Sequence, residues 1–350
     1  MRIGMPLSYS GGFKETVGRI REYEAVGVDV LFVPEAYSYD AVSLLGYLAA
    51  STERITIASS ILNVYSRTPA LLAMTAAGLD YVSEGRFMLG IGASGPQVVE
   101  GFHGVPYRAP LGRALEVTQI CRTLWRRETL EHDGEHFQLP LGPERGGSGL
   151  GKPLKIINRP VRERIPIMLG GIGDRAVAMA AEHFEAWQPM FFLPEVADPV
   201  FGPHLRKGSA RRDPALGPLD VIAQSYLAVV ETEEEEKAAL RQVREHLALY
   251  IGGMGARGKN FYTTLVSRFG FADEATRVQE LYLAGRREEA IDAVPEALAR
   301  GLSLIGNPDR LGERIHAFSR AGVTTLNLRP VAPGHTRQVH DYAIVRKLAD

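Results

Sequence analysis

Two glycine-rich loops contain residue types that could bind a phosphate group. The segments Gly90-x-Gly92-x-x-Gly95 and Gly171-x-Gly173-x-x-Ala176 both match the dinucleotide-binding pattern. Glycine lets the backbone approach a phosphate closely, and a helix that follows offers free N–H donors at its positive end. The first loop lacks the strand with a terminal acidic residue expected about 20 residues later. The second loop precedes a predicted helix and strand, so it is the better candidate, although a plain strand-to-helix turn has the same pattern.

Five other side chains near predicted strand ends could do chemistry. Glu35 could act as an acid or as a structural hydrogen-bonding group. His103 lies in a loop, and imidazole is the side chain that ordinarily titrates near neutral pH, but a surface or core histidine fits equally. Arg67 precedes a helix, where a cation opposes the helix dipole, which favours its pairing with a ligand or an acid. Tyr37 and Tyr65 could flank a flat ring or only fill space.

Several common chemistries are not expected. His132, His136 and His183 show no metal-ligand spacing with nearby acidic residues, so we predict no metal site. The chain has no Gly-x-Ser-x-Gly motif, which argues against a serine hydrolase. The single cysteine, Cys121, allows neither an internal disulfide nor a cysteine metal cage, and its position within a predicted helix indicates a core residue.

The composition is that of an ordinary globular protein. The chain has 350 residues, of which 45% are hydrophobic and 23% charged, and its formal net charge is −1. Phosphate neutralisation requires a basic surplus, so no nucleic-acid partner is expected. The sequence lacks a long apolar run and a signal-peptide pattern, so we expect no membrane partner and a cytoplasmic enzyme with a small-molecule substrate.

Strand-like and helical segments alternate along the chain, which predicts an α/β fold. We interpret residues 1–350 as a single (β/α)8 TIM barrel, with insertions at about 128–164 and 251–307. The first insertion contains a predicted hairpin at Asp133-Gly134, and the second shows helical patterns without a strand signal. A doubly wound sheet is the rival fold. The predicted strands are 3–7, 28–33, 55–62, 86–91, 165–169, 186–192, 219–230 and 323–328.

Read together, several segments resemble a known family. Residues 55–67, the helix that follows Pro69, and residues 83–92 resemble the luciferase-like monooxygenase superfamily. Residues 32–41 and 92–98 are similar to the branch of bacterial luciferase-like proteins that uses the deazaflavin coenzyme F420. Residues 101–107 and 261–292 add to this likeness, which covers nearly the whole chain.

The resemblance implies a barrel with insertions, a homodimer, and a cofactor ring at the strand ends. It also implies a non-prolyl cis peptide after the third strand, here Ser60–Ile61, which would lie against the ring. Asn63 matches a polar contact to the ring, and Glu35 is placed among the cofactor contacts as well as the catalytic candidates. The loop for the cofactor tail matches Ala93, Ser94, Gln97 and Val98, and the phosphate loop matches Gly170, Gly171, Ile172 and Gly173.

The chain also departs from one group of this family. Sugar-phosphate dehydrogenases of the family carry Asp-His after the second strand, where this chain has Glu35-Ala36. Their glutamate in the loop after the fourth strand is replaced by Gly95-Pro96. A glucose-6-phosphate type of reaction is therefore not expected, and His103 and Glu35 remain the catalytic candidates.

These observations lead to a predicted function with alternatives. We expect an oxidoreductase that transfers a hydride between F420 and an unidentified organic substrate, with His103 as proton donor. The first alternative is an FMN-dependent monooxygenase supplied by a separate reductase. A nicotinamide dehydrogenase that uses the loop at Gly171 and a cofactor-binding protein without catalysis are the others.

Overall fold

Twelve strands and fifteen α-helices make up the fold in a computed structural model, which describes residues 1–8, 11–255 and 260–350. The strands are β1 (Arg2–Pro6), β2 (Val30–Val33), β3 (Thr56–Ser59), β4 (Leu62–Asn63), β5 (Phe87–Gly92), β6 (His132–Asp133), β7 (Gln138–Leu139), β8 (Ile167–Gly170), β9 (Ala186–Gln188), β10 (Asp220–Val229), β11 (Ser303–Gly306) and β12 (Thr325–Pro330). The helices are α1 (Phe13–Gly18), α2 (Ile20–Ala25), α3 (Ala41–Ser51), α4 (Pro69–Val82), α5 (Pro96–Gly101), α6 (Pro110–Trp125), α7 (Asp174–His183), α8 (Ala197–Ser209), α9 (Glu233–Ala248), α10 (Phe261–Arg268), α11 (Ala272–Leu283), α12 (Arg287–Asp292), α13 (Glu296–Gly301), α14 (Pro308–Arg320) and α15 (His335–Ala349).

Eight parallel strands close into a barrel. Their order around the ring is β1, β2, β3, β5, β8, β9, β10 and β12. The ring closes where Asp220 of β10 pairs with Ala186 of β9, and where Thr325 of β12 pairs with Arg2 of β1. This closed arrangement confirms the predicted (β/α)8 barrel and excludes the open doubly wound sheet.

Strand β11 corrects the expectation that residues 251–307 contain no strand. Ser303–Gly306 pairs in parallel with the second half of β10, in the register Tyr226 to Ser303. Four residues are too few to show a periodicity, and helices α13 and α14 flank them closely, which explains the wrong prediction. The rest of the described part of this insertion is helical, as predicted, and residues 256–259 lie outside the described residues.

Local sequence signals define the helix ends. The Thr68 side chain accepts a hydrogen bond from Leu71 N–H, and Pro69 takes the first position of α4. A capping box of Thr232 and Glu235 is present at the start of α9. Two separate helices, α1 and α2, follow Gly12, because the backbone leaves helical geometry at Arg19.

The core consists of two layers that alternate along each strand. Residues such as Leu31 and Ile57 point outward and pack under the helices, where Cys121 is also buried as predicted. The inward layer at the base of the barrel contains Val30, Phe32, Ala58, Met88, Met168, Ala186 and Ile222.

The predicted hairpin of the first insertion forms as β6 and β7, with Gly134 N–H donating to Phe137 O at 2.9 Å. Among the described residues, no helix is both long and apolar enough to cross a bilayer.

Candidate active site

The interior of the barrel changes from apolar to polar towards the carboxyl ends of the strands. Ile222 belongs to the apolar base, whereas Gln224 and Tyr226 follow on the same face of β10 at intervals of two residues. The register of β10 with β12 pairs Gln224 with Asn327 and Tyr226 with Arg329. Paired residues of parallel strands face the same side, so these four polar side chains form one inward row.

This polar row lines a cavity at the end of the barrel where ligands bind in this architecture. Its wall comes from β1, β2, β3, β10 and β12, together with the segments that follow β9 and α9. The lining residues are Pro6, Phe32, Pro34, Ser60, Met190, Phe191, Gln224, Ser225, Tyr226, His246, Tyr250, Leu302, Asn327 and Arg329.

The predicted cis peptide lies at the edge of this cavity. The Ser60–Ile61 bond is cis, which confirms the expectation from the family resemblance. The Ser60 hydroxyl donates to Gln188 Oε1 at 2.6 Å. A Cβ atom added at Gly92 or Gly170 would lie 3.0 Å from the Ile61 side chain. These two predicted glycines therefore leave room for Ile61 and for a flat group next to it.

Three buried polar atoms at this end of the barrel have no hydrogen-bond partner in the described part of the chain. They are Asn63 Nδ2, Gln188 Nε2 and Asn327 Oδ1. The orientation of the Asn63 amide is fixed, because its Oδ1 accepts from Tyr65 N–H at 2.9 Å. Since an unsatisfied buried polar group costs about 1–3 kcal/mol, two donors and one acceptor at the same end of the barrel indicate bound groups that satisfy them.

The predicted cofactor-tail loop follows β5. Ser94 has a φ of 57°, which turns the chain sharply, and its carbonyl accepts from the Tyr107 hydroxyl at 3.3 Å. Ala93 and Val98 are half-buried, whereas Ser94 and Gln97 are exposed. The loop thus presents polar groups outward from the rim of the barrel.

The predicted phosphate loop follows β8, beside the first loop. The Trp187 indole donates to Gly171 O at 2.8 Å and fixes the start of the loop. Helix α7 begins after Gly173 without a side-chain cap, so its first-turn N–H groups have no capping partner. Ile172 is partly buried and packs against the core. Free N–H donors at the start of a ten-residue helix favour the binding of an anion at this position.

Glu35 is held in an ion pair. Arg67 donates to both Glu35 oxygens at 2.7 and 2.8 Å, and Ala41 N–H donates to Glu35 Oε2 at 3.1 Å. The pairing of Arg67 with an acid, one of its two predicted partners, is confirmed, and the hydrogen bond to Glu35 raises the pKa of Arg67. Both side chains are nearly buried, so the pair ties the segment after β2 to the segment before α4. The catalytic and cofactor-binding roles of Glu35 stay predictions.

His103 lies outside the wall of the cavity. Its backbone N–H donates to Val98 O at 3.1 Å, and its ring packs edge-on against Phe102 at 5.3 Å. Phe102 in turn lies 6.3 Å from the Tyr37 ring, and both aromatic side chains are exposed. The structure therefore does not bring His103 to Ser60, and its catalytic role stays a prediction.

Sequence reasoning missed a tyrosine–histidine pair inside the cavity. The Tyr226 hydroxyl lies 2.5 Å from His246 Nδ1. Burial, aided by the charge of Arg329, lowers the pKa of His246 to about 3, and burial raises the pKa of Tyr226. His246 is therefore neutral, and its Nδ1 shares a hydrogen bond with the Tyr226 hydroxyl. Polar residues at intervals of two within β10 and β12 were a usable signal, but nothing in α9 distinguished His246.

The chain is similar to proteins of a known family. A model of the family described as luciferase-like monooxygenase matches residues 1–325. A protein of Mycobacterium tuberculosis, provisionally named a coenzyme F420-dependent oxidoreductase, is 36% identical over 346 residues, with 98% of each chain covered.

Solved structures with the same fold include enzymes for two cofactors. The coenzyme F420-dependent tetrahydromethanopterin reductase from Methanopyrus kandleri superposes with a TM-score of 0.80 at 20% identity, over 99% of this chain and 97% of that one. The oxygenating constituent of 3,6-diketocamphane monooxygenase from Pseudomonas putida, in complex with FMN, superposes with a TM-score of 0.67 at 19% identity, over 100% and 97% of the two chains.

Proposed function

The chain belongs to the luciferase-like monooxygenase family, and we propose that it is an oxidoreductase that transfers a hydride between coenzyme F420 and an organic substrate. The observation that carries this proposal is the set of unpartnered amides beside the cis Ser60–Ile61 bond, in a chain similar over 98% of its length to an F420-dependent relative. FMN is the second candidate cofactor, because a structure of the same fold holds it.

The residues at the strand ends fit a deazaflavin. The amide donors of Asn63 and Gln188 suit the carbonyl oxygens of a flat heterocycle, and Gly92 and Gly170 leave backbone rather than side chain beneath it. The loops at 93–98 and 170–173 would hold the tail and its phosphate, as the uncapped start of α7 supports. When bound, the deazaflavin supplies a two-electron hydride carrier.

The chain's own side chains would orient the substrate and handle the proton. Phe32, Phe191 and Tyr250 form an apolar wall that excludes water from the cavity. Tyr226, backed by neutral His246, is our additional candidate for the proton donor, since both line the cavity. His103 and Glu35 are retained as the candidates proposed from the sequence.

An apolar outer face supports the proposal of a homodimer. Helices α3 and α4 expose Tyr47, Leu71, Met74 and Tyr81, which are large apolar side chains on neighbouring elements. Contiguous apolar surface on a folded protein is typical of an interaction site. Sedimentation velocity of the wild type and of Met74→Glu tests this, because a charge in a self-complementary interface should produce the monomer.

Cofactor binding tests the proposed function directly. We would titrate the purified protein with F420 and, separately, with FMN, following fluorescence quenching. Tight binding of F420 alone is expected. Gly92→Ala should weaken F420 binding on the order of tenfold, because the new methyl group displaces Ile61. Gly46→Ala is the matched control, since nothing lies within 4 Å of its added Cβ.

The contrary outcomes are distinct. Preference for FMN, with oxygen consumption when FMN is supplied reduced, would identify a two-component monooxygenase instead. Binding of neither cofactor would overturn the proposal. Equal F420 affinity for the Gly92 and Gly46 variants would show that the cofactor lies elsewhere.

A further inference from the structure

Arg329 is a cation in the cavity without a counter-ion among the described residues. None of these residues lines the cavity with a carboxylate, and none forms a side-chain hydrogen bond or an ion pair with Arg329. Other arginines with restricted exposure do have acidic partners, such as Arg67 with Glu35 and Arg122 with Glu185. A partly desolvated charge without a partner is costly, so its presence at a ligand site indicates an anion that arrives with the ligand.

We propose that Arg329 binds an anionic oxygen group, a carboxylate or a phosphate, carried by the organic substrate. This inference rests on the proposed function and names the class of its substrate. A guanidinium presents a planar pair of N–H donors that matches either group in a bidentate manner. Of the described residues that line the cavity, only Arg329 carries a formal charge, since His246 is neutral.

The surroundings of Arg329 fit the rest of such a substrate. Tyr226 stands beside it in the strand register, and Asn327 lies one step deeper on the same face with an unpartnered Oδ1. Another part of the wall is aromatic and includes Phe191 and Tyr250, whose rings lie 6.0 Å apart. An apolar body that ends in an anionic group would fit both the aromatic and the charged part of this cavity.

The strand order separates this position from the loops proposed for the cofactor tail. In the ring of eight strands, β12 lies opposite β5, and β10 lies opposite β3. Arg329 therefore projects from the side of the barrel away from Ser94, whereas the loop at Gly171 adjoins the β5 side. Two separate anion positions on opposite sides of the barrel suit a cofactor tail and a substrate group.

Matched neutral and charged probes test the proposal. We would measure binding of cyclohexanecarboxylate, cyclohexanecarboxamide and cyclohexyl phosphate by calorimetry, using the F420-loaded protein. The wild type should bind at least one of the two anions about tenfold or more tightly than the amide. Arg329→Met should abolish this difference, and Arg329→Lys should retain part of it. Arg320→Met, a change on the exposed surface, is the matched control and should behave as the wild type.

Each remaining outcome is decisive. The tighter of the two anions identifies the group that the substrate carries. Equal binding of acid, phosphate and amide to the wild type, or an unchanged preference in Arg329→Met, would overturn the proposal. Weaker F420 binding by Arg329→Met with unchanged anion binding would assign this arginine to the cofactor instead. Failure of F420 binding alone would overturn the proposed function, while the anion preference could still be measured on the cofactor-free protein.

Discussion

The ion pair of Glu35 and Arg67 should be a structural tie whose loss is measurable. Arg67 is 9% exposed and Glu35 is 11% exposed, so both charges are largely removed from water. In Arg67→Met, the Glu35 carboxylate would keep only the hydrogen bond from Ala41 N–H. Removing one partner of a buried pair costs about 3–5 kcal/mol, because the other charge is left uncompensated. We expect a loss near the lower end, about 3 kcal/mol in the free energy of unfolding, because the pair lies at the rim of the barrel.

Further variants distinguish the effect of an unpaired buried charge from the effect of lost side-chain packing. Glu35→Gln should lose less than Arg67→Met, because Arg67 keeps its contact with the more exposed Asp40 at 2.5 Å. The double variant Glu35→Met/Arg67→Met should recover much of the loss, since neither charge is then buried alone. Urea unfolding of the four proteins, followed by circular dichroism, measures these differences.

One result would refute this reasoning about the pair. If Arg67→Met unfolds within about 1 kcal/mol of the wild type, as exposed pairs do, then Glu35 is solvated well enough to ionise without Arg67. Glu35 would then be free for the catalytic role predicted from the sequence. A large loss of stability together with unchanged F420 affinity would instead assign Glu35 a structural role, in which it ties the segment after β2 to the segment before α4.

Three further predictions concern the proton donor and the dependence on pH. Tyr226→Phe should lower turnover on the order of tenfold to a hundredfold with unchanged F420 affinity, and equal steady-state rates would remove Tyr226 from proton transfer. His103→Ala, by the prediction from the sequence, should lower turnover with little loss of cofactor affinity, and unchanged turnover would exclude it. Burial raises the pKa of Asp341 to about 6, above its value of about 4 in unfolded chains, so folding stability should fall as pH rises from about 4 to 6. Asp341→Asn should remove this fall, and an unchanged pH profile of the urea midpoint would contradict the assignment.

Most of the barrel could be predicted from the sequence because its strands are short buried runs separated by capped helices. The starts of α4 and α9 were readable from Thr68-Pro69 and from the capping box at Thr232. The closing contacts of β12 with β10 and β1 join residues far apart in the chain, and only the inference of a closed barrel anticipated them. Strand β11 escaped prediction because its four residues acquire their extended form from pairing with β10.

Some residues of the candidate site could likewise be predicted from the sequence, and others could not. Residues that directly follow strands, such as Ser60 after β3 and Gly171 after β8, could be located from the sequence. The motifs that indicate a ligand lie in loops, so they do not point to the inward row of β10 and β12. The signal for this row is alternation, because Gln224 and Tyr226 are two residues apart, as are Asn327 and Arg329. His246 could not be foreseen, since only the tertiary fold brings α9 over the end of β10.

The position of β12 has a consequence for biosynthesis. This strand inserts between β10 and β1, yet it follows β1 in the chain only after the whole of the rest of the barrel. At about 10 residues per second, β1 waits roughly half a minute before its second neighbour exists. During that time the nascent chain presents an open parallel edge with apolar side chains such as Ile3 and Met5, which is a template for pairing with other chains. We therefore expect the yield of folded protein to depend on chaperones that shield this edge until β12 has been synthesised.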